Sequence, residues 1–232
     1  MNTEYKLDNP VWYSLAESHK KHTLKSGTTH FYNPEYCAFA AFNEPSNNES
    51  DLMTYAKSVP SFFVFGVKPK LPKSLQIKHE LLCLQMIIRD RIAITYMEEI
   101  VKLDQSHRAA LLQLVQMVYP EYFKSKTADL GNYYGIFKEN QLIAITGERM
   151  QMDNFIEVSA VITHPDHIGK GYAKQLVAHT TNAIFEQQKT PFLHVAEANV
   201  GAVKLYEKLG FSTRIKIKIW QVSEKTQEEC KS

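Results

Sequence analysis

An α+β fold is what this sequence predicts, and three observations carry the expectation. Segments with period-two alternation and segments with helical spacing follow one another through the C-terminal half. Tyr133–Lys138 and Leu142–Gly147 are two such strands joined at Glu139-Asn140, which reads as a hairpin. A turn holding Gly169 and Gly171 separates a β-patterned segment, Asn154–Ile162, from a helical one, Tyr172–Thr190.

The elements read in order as follows. Residues 1–91 hold aromatic-rich segments (Trp12, Tyr13, Phe31, Tyr32, Tyr36, Phe39 and Phe42) and two strand candidates, Ser61–Val67 and Leu75–Ile88, punctuated by Pro60, Pro69 and Pro72. Asn43–Asp51 reads as a polar loop. Asp104 or Ser106 can cap a helix through Ala109, Leu112, Val115 and Met117, which ends before Pro120. After the hairpin and the glycine turn, Phe192–Ala196 is a short strand and Asn199 caps a helix with Ala202, Leu205, Tyr206 and Leu209 at helical spacing. Gly210 ends that helix as a left-handed C′ residue would, and Ser212–Val222 alternates as the last strand.

Composition sets limits. The 232 residues are 44% hydrophobic and 22% charged, enough for a real core in one large domain or two small ones. A net charge of +2 is too balanced to imply nucleic acid. Cys37, Cys83 and Cys230 are too few and too scattered for a disulfide framework. The apolar stretches Ser61–Val67 and Leu81–Ile88 are core-length rather than membrane-length. With no secretory segment in view, the expected location is the cytoplasm, with no membrane partner. Oligomeric state cannot be read from the chain.

The strand–turn–helix around Gly169 and Gly171 has a direct chemical meaning. A helix start leaves N–H groups without intrahelical partners and carries the positive end of the dipole, so an anion is stable there. Glycine lets a ligand approach the backbone where a Cβ would hold it off. The chain is therefore expected to bind a phosphorylated cofactor. No G-x-x-x-x-G-K-[ST] string exists, and Gly169-Lys170-Gly171-Tyr172-Ala173-Lys174 lacks the third glycine of a dinucleotide fingerprint.

The pairing of T-H-P-x-x-x-G-x-G-x-A at Thr163–Ala173 with N-x-x-A-x-x-x-Y-x-x-x-G-F at Asn199–Phe211 resembles the GNAT superfamily of acetyl-CoA-dependent N-acetyltransferases. The likeness is strongest over Glu157–Phe211 and covers about the C-terminal 130–140 residues. It implies a mixed, mostly antiparallel sheet flanked by helices and splayed where the cofactor enters, in a domain spanning 92–232, with Ala93–Met97 as its first strand. Residues 1–91 resemble the N-terminal extension of some bacterial members, a smaller α/β unit. In the family, the strand before the turn bonds the pantetheine through its backbone, which maps to Val161, Ile162 and Thr163. The turn and helix start wrap the pyrophosphate, which maps to Ile168, Gly169, Lys170, Gly171, Tyr172 and Ala173. Ile168 stands where the family usually has Arg or Gln; the contact there is mainly made by the backbone amide. Asn199 matches the asparagine that meets the cofactor near the thioester, and Tyr206 the tyrosine that protonates the departing thiolate.

Elementary chemistry agrees with those roles. An alkylamine with a pKa of about 10.4 is mostly protonated at neutral pH, so a base must take its proton. Glu157 is the leading candidate, because a carboxyl inside an apolar strand is expected to have a raised pKa unless it is paired, for instance with Arg149. Alternation puts Phe155, Glu157, Ser159, Val161 and Thr163 on one face of that strand. Glu148 and Arg149 are second candidates for the substrate pocket, and His194 could face the transfer site or be a core histidine. Backbone N–H groups of the Asn154–Thr163 strand could polarise the thioester carbonyl. His164 and His167 lack a carboxylate or Cys partner at ligand spacing, so no metal is expected. Lys170 and Lys204 read as solvated or phosphate-assisting.

The expected activity is transfer of an acetyl group from acetyl-CoA to a primary amine, on a small molecule or a peptide, by direct attack in a ternary complex. The alternative is a non-catalytic module that binds CoA or acyl-CoA as a sensor; the departure at Ile168 gives it some support, and the intact Tyr206 and Glu157 argue against it. A third reading, a structural domain whose turn binds nothing, makes both motifs accidents.

Overall fold

The computed structural model describes residues 3–43, 48–119 and 123–225. Cys230 and Pro120 lie outside them. Among the described residues eleven strands make one sheet: β1 (Thr23–Ser26), β2 (Thr29–Tyr32), β3 (Phe39–Phe42), β4 (Ser61–Phe65), β5 (Leu75–Ile87), β6 (Val101–Leu103), β7 (Tyr133–Lys138), β8 (Gln141–Gln151), β9 (Phe155–Thr163), β10 (Thr190–Ala196) and β11 (Ser212–Glu224). Their order is β1-β2-β3-β4-β11-β5-β10-β9-β8-β7-β6. Among the described residues only the β3–β4 and β9–β10 pairs are parallel; the other neighbours are antiparallel. This is the mixed, mostly antiparallel sheet that the resemblance implies.

Among the described residues five α-helices cover it: α1 (Pro10–Ala16), α2 (Glu49–Ala56), α3 (Arg108–Val118), α4 (Tyr172–Glu186) and α5 (Val200–Lys208). On one face Leu7, Val11 and Leu15 pack with Phe39, Phe65, Phe155 and Phe192, and α3 packs through Leu111, Leu114 and Val115 on Ile145 and Ile162. On the other face α4 and α5 bury Val177, Ala178, Tyr206 and Leu209 against Met86, Ile156, Val158 and Val195. Burying these side chains is the main favourable term in holding the layers together.

Local signals in the chain explain the ends of these elements. Glu139 and Asn140 both take positive φ, 50° and 63°, the conformation of a two-residue hairpin turn. Asn199 accepts from the Ala202 N–H at 3.1 Å as the cap of α5, and Gly210 follows that helix at φ 97°. Asp104 accepts from the Ser106 N–H and His107 reaches back to the Asp104 N–H, a reciprocal cap ahead of α3.

Three expectations need correction. Ala93–Met97 is not a strand: side chains of α4 take its neighbourhood's backbone bonds, Asn182 bonding Ile92 N–H and C=O and Gln175 accepting from Met97 and Glu98. The first strand of that half is instead β6. Helix α2 starts at Glu49, inside the stretch read as a polar loop. Val161 does not share a face with Glu157. Ala160 has φ 51°, and the β8–β9 register slips between Ile145/Ile162 and Gly147/Ser159. This bulge reverses the alternation, so Val161 joins the α4–α5 face and Ala160 and Ile162 join the α3 face.

One sheet runs through both parts of the chain. The last strand, β11, lies between β4 and β5, and β5 pairs with β10. A buried polar network adds to this. The Ser14 hydroxyl lies 2.7 Å from Tyr32 Oη and accepts from the Gln151 N–H, while His19 Nε2 donates to the Leu130 carbonyl at 3.0 Å. Burial, with His22 adding, lowers His19 to about 4, so it is neutral in the fold. Unfolded histidine titrates at about 6.5, hence the unfolded chain binds more protons below that value. Stability to urea should fall as pH drops from about 6.5 towards 4. His19→Gln should flatten that slope; an unchanged slope would show that His19 does not cause it.

Candidate active site

Strands β9 and β10 hold the site between them, and their register shows why. They pair at Thr190↔Phe155, Pro191↔Ile156 and Phe192↔Glu157, and no pair is recorded beyond Glu157 among the described residues. From there on, β10 is held by β5 and β9 by β8, so the two strands form a fork. The bulge at Ala160 lies in the open part, where an edge of backbone N–H and C=O groups faces the gap. Val161, Ile162 and Thr163 are the last residues of that edge.

Glu157 sits at the apex, 1% exposed. Arg149 donates to it twice, Nε to Oε2 at 2.7 Å and Nη2 to Oε1 at 2.8 Å. His194, from β10, lies with Nδ1 2.8 Å from Oε1. The tautomer follows from the bonding. Arg214 Nη1 donates to Gln85 Oε1 at 2.8 Å, which fixes the Gln85 amide with Nε2 as donor. That nitrogen serves the Leu7 carbonyl at 2.7 Å and His194 Nε2 at 3.1 Å. His194 Nε2 therefore accepts, and Nδ1–H donates to Glu157. A hydrogen-bonded chain thus runs from Arg214 through Gln85 and His194 to Glu157 and Arg149.

The raised pKa expected of a buried carboxyl is not what results. Burial pushes Glu157 up, but the charge and hydrogen bonds of Arg149, with those of His194, outweigh it and hold the group at about 2. Glu157 is ionised wherever the protein is folded at ordinary pH.

Next to this pair a cavity of about 510 Å³ opens on the α1 face. Arg149 and His194 form its polar floor, and Phe39, Phe63, Phe65 and Ile219 line its walls. Most of the walls come from residues before 91, so the N-terminal part builds this cavity. Cys83 also lines it, and burial pushes the thiol up to about 11, which leaves little thiolate to act as a nucleophile.

The glycine turn lies at the start of α4. Gly169 and Gly171 take φ 82° and 79°, and a Cβ at either would meet nothing within 4 Å. Left-handed backbone explains both glycines, and the open space leaves the N–H groups of Gly169 through Ala173 approachable. Ile168 is 68% exposed and Lys170 is exposed, whereas the Tyr172 side chain is buried against Tyr134 and Leu176. Tyr172 can serve a phosphate only through its main chain.

Tyr206 is buried on α5 with its ring against Phe211, and burial, with Tyr119 adding, raises it to about 12. Tyr206 is therefore a phenol, not a phenolate, at neutral pH. Asn199 spends its side-chain oxygen on the cap of α5. Glu148 turns to the opposite face, bonding Asn132, Gln151 and Gln187, and does not line the cavity. His164 accepts from the Asp166 N–H as a local cap, and Lys204 is exposed. Among the described residues no cluster of three His, Cys, Asp or Glu could hold a metal ion, and no helix is long and apolar enough to cross a membrane.

Sequence reading did not find Gln85, Arg214 or the phenylalanine walls. Gln85 did carry a signal, as the lone polar residue in the run Leu81–Ile88, where a buried amide needs partners. The others are ordinary residues on strands remote in sequence.

Removing one partner of the buried pair leaves the other as an unpaired charge. Glu157→Ala should destabilise the fold by about 3–5 kcal/mol in urea denaturation at pH 7. Because the folded pKa lies below the unfolded value of about 4.3, the stabilisation is present above that pH and lost as pH falls towards 2. A change within about 0.5 kcal/mol would mean that Arg149 finds water or another partner at once.

Residues 133–220 match the FR47-like protein family. A GNAT-family protein from Novosphingobium aromaticivorans is 27% identical, over 95% of this chain and 99% of that one, with a TM-score of 0.86. A GCN5-related N-acetyltransferase from Kribbella flavida, 15% identical over 98% of both chains, has a TM-score of 0.63 and shares the fold. A GCN5-related N-acetyltransferase-like protein from Streptococcus suis, also 15% identical, covers 86% of this chain and 84% of its own with a TM-score of 0.55. No curated protein matches the sequence. Residues 133–220 thus resemble the FR47-like family, and the chain has the fold of a GNAT-family acetyltransferase over almost its whole length.

Proposed function

We propose that the protein is an acetyl-CoA-dependent N-acetyltransferase that acts on a primary amine by direct attack in a ternary complex. The observation that carries this reading is the fork between β9 and β10, with the buried Glu157–His194 pair at its apex and a cavity beside it. A thioester arm fits such a gap because the edge of β9 offers backbone bonds from Val161, Ile162 and Thr163. The diphosphate of CoA would lie on the N–H groups of Ile168, Gly169, Lys170, Gly171, Tyr172 and Ala173, where the α4 dipole favours negative charge. Asn199, at the start of α5, would face the arm near the thioester.

In this reaction the amine nitrogen attacks the thioester carbon, the carbonyl oxygen takes up negative charge, and the C–S bond then breaks. Backbone N–H groups at the open end of β9 would stabilise the oxyanion. Glu157 is the proposed proton acceptor. A carboxylate held near 2 does not deprotonate a free alkylammonium to any extent. It becomes competent once the C–N bond forms, because the bonded nitrogen is then far more acidic. Tyr206, a phenol kept protonated by burial, would give its proton to the leaving thiolate. The suppressed thiolate of Cys83 supports direct attack over an acyl-enzyme.

Calorimetric titration with acetyl-CoA, CoA and ATP tests the cofactor first. Micromolar binding confined to the CoA pair is expected, and no binding would end the transferase reading. Tyr206→Phe should lower kcat by about 10- to 100-fold with the CoA Kd unchanged; an unchanged kcat removes the acid role. The pH profile is a separate check. With Glu157 ionised from acid pH upward, kcat/KM should climb with pH towards the acceptor amine's own pKa. A plateau beginning between pH 6 and 8 would instead report another base.

A further inference from the structure

The cavity beside Glu157 has a chemistry that narrows the acceptor, and the inference rests on the transferase reading above. We propose that the acceptor is an α-amino acid with an aromatic or branched apolar side chain, whose carboxylate is held by the free edge of Arg149.

Arg149 meets Glu157 side-on, through Nε and Nη2. A guanidinium has five N–H donors, and this pairing uses two. Nη1 has no acceptor among the described residues, and Arg149 lines the cavity. The guanidinium lies over Phe39, with Cζ 5.0 Å from the ring centroid, and this contact and the two bonds to Glu157 hold it in place. A planar fork presented in this way suits a carboxylate, which it can bind with two parallel bonds.

Position supplies the second part. An amino acid held by its carboxylate has its amine only two bonds away. A carboxylate on Arg149 therefore brings that amine to the apex, next to Glu157 and the open end of the fork. The side chain is left to face Phe63, Phe65, Leu81 and Ile219. A volume of about 510 Å³ exceeds that of one such amino acid and falls in the usual range for small-ligand sites.

Charge argues against the other amines. The carboxylate in the lining, Glu80, is paired with Lys218 at 2.5 Å at the partly exposed rim. A polyamine or aminoglycoside would bring several ammonium groups to a cavity where the nearby carboxylates, Glu157 and Glu80, are already paired with Arg149 and Lys218. An apolar amine without a carboxylate would fill the walls but leave the Nη1 donors unpaired in a desolvated site.

The test is calorimetric titration of the protein saturated with CoA, using L-phenylalanine and L-leucine, each beside its decarboxylated amine, and spermidine. The amino acids should bind about tenfold tighter or more than their decarboxylated counterparts. Equal affinity, a preference for the amines or spermidine, or no binding of the amino acids overturns the proposal. Arg149→Lys keeps a cation beside Glu157 but loses the fork, and should shrink the preference to about threefold or less with CoA affinity unchanged. If that variant does not fold, the comparison on the native protein decides alone. Thiol release from acetyl-CoA with some other amine would leave the transferase standing while this proposal falls. Absence of CoA binding would remove both.

Discussion

The ion pair between Arg149 and Glu157 is the interaction on which the site depends. A carboxylate that is 1% exposed is unstable unless its lone pairs are bonded, and here Arg149 and His194 supply three bonds. Those bonds also tie three strands together at the point where the sheet opens: β8 carries Arg149, β9 Glu157 and β10 His194. The extension to Gln85 and Arg214 links the same point to β5 and β11, and Arg214 reaches back to Glu4 and Asp8 near the start of the chain. The fork can therefore stay open without the strands drifting apart.

That arrangement reconciles two demands. A sheet gains from continuous pairing, whereas a ligand that enters between strands needs pairing to stop. The chain stops it at Glu157, by carrying β10 on β5 and bending β9 with the bulge at Ala160. The cost of a left-handed alanine is a local strain on the order of 1–3 kcal/mol, tolerated because both flanks of β9 are fixed by packing. The bulge also changes which side chains face the cavity side of the sheet, since Val161 leaves it and Ile162 replaces it.

The N-terminal residues are structural partners of the site. Phe39, Phe63 and Phe65 form cavity walls, and α1 covers the same face of the sheet. Because β11 is inserted between β4 and β5, the first and last parts of the chain complete one layer. The low His19 pKa reflects the same closure: its ring is buried between α1, β2 and the Leu130 carbonyl, where a charge is poorly solvated.

What the sequence determined by itself is what local rules govern. Periodicity located β7, β8, β9, β10 and β11, Asn199 and Gly210 bracketed α5, and Gly169 and Gly171 marked the anion-ready start of α4, because each depends on residues within a few positions of one another. Local rules failed where the decisive partner was distant. Ala93–Met97 has strand-like residues, but amides from α4 took the backbone bonds near it. Tertiary structure alone decided the state of Glu157. An isolated buried carboxyl would titrate high; one facing a guanidinium eight residues away and an imidazole from another strand titrates low. The cavity was equally invisible, since its walls come from strands spread between residues 39 and 221, and only the order of the sheet brings those side chains together.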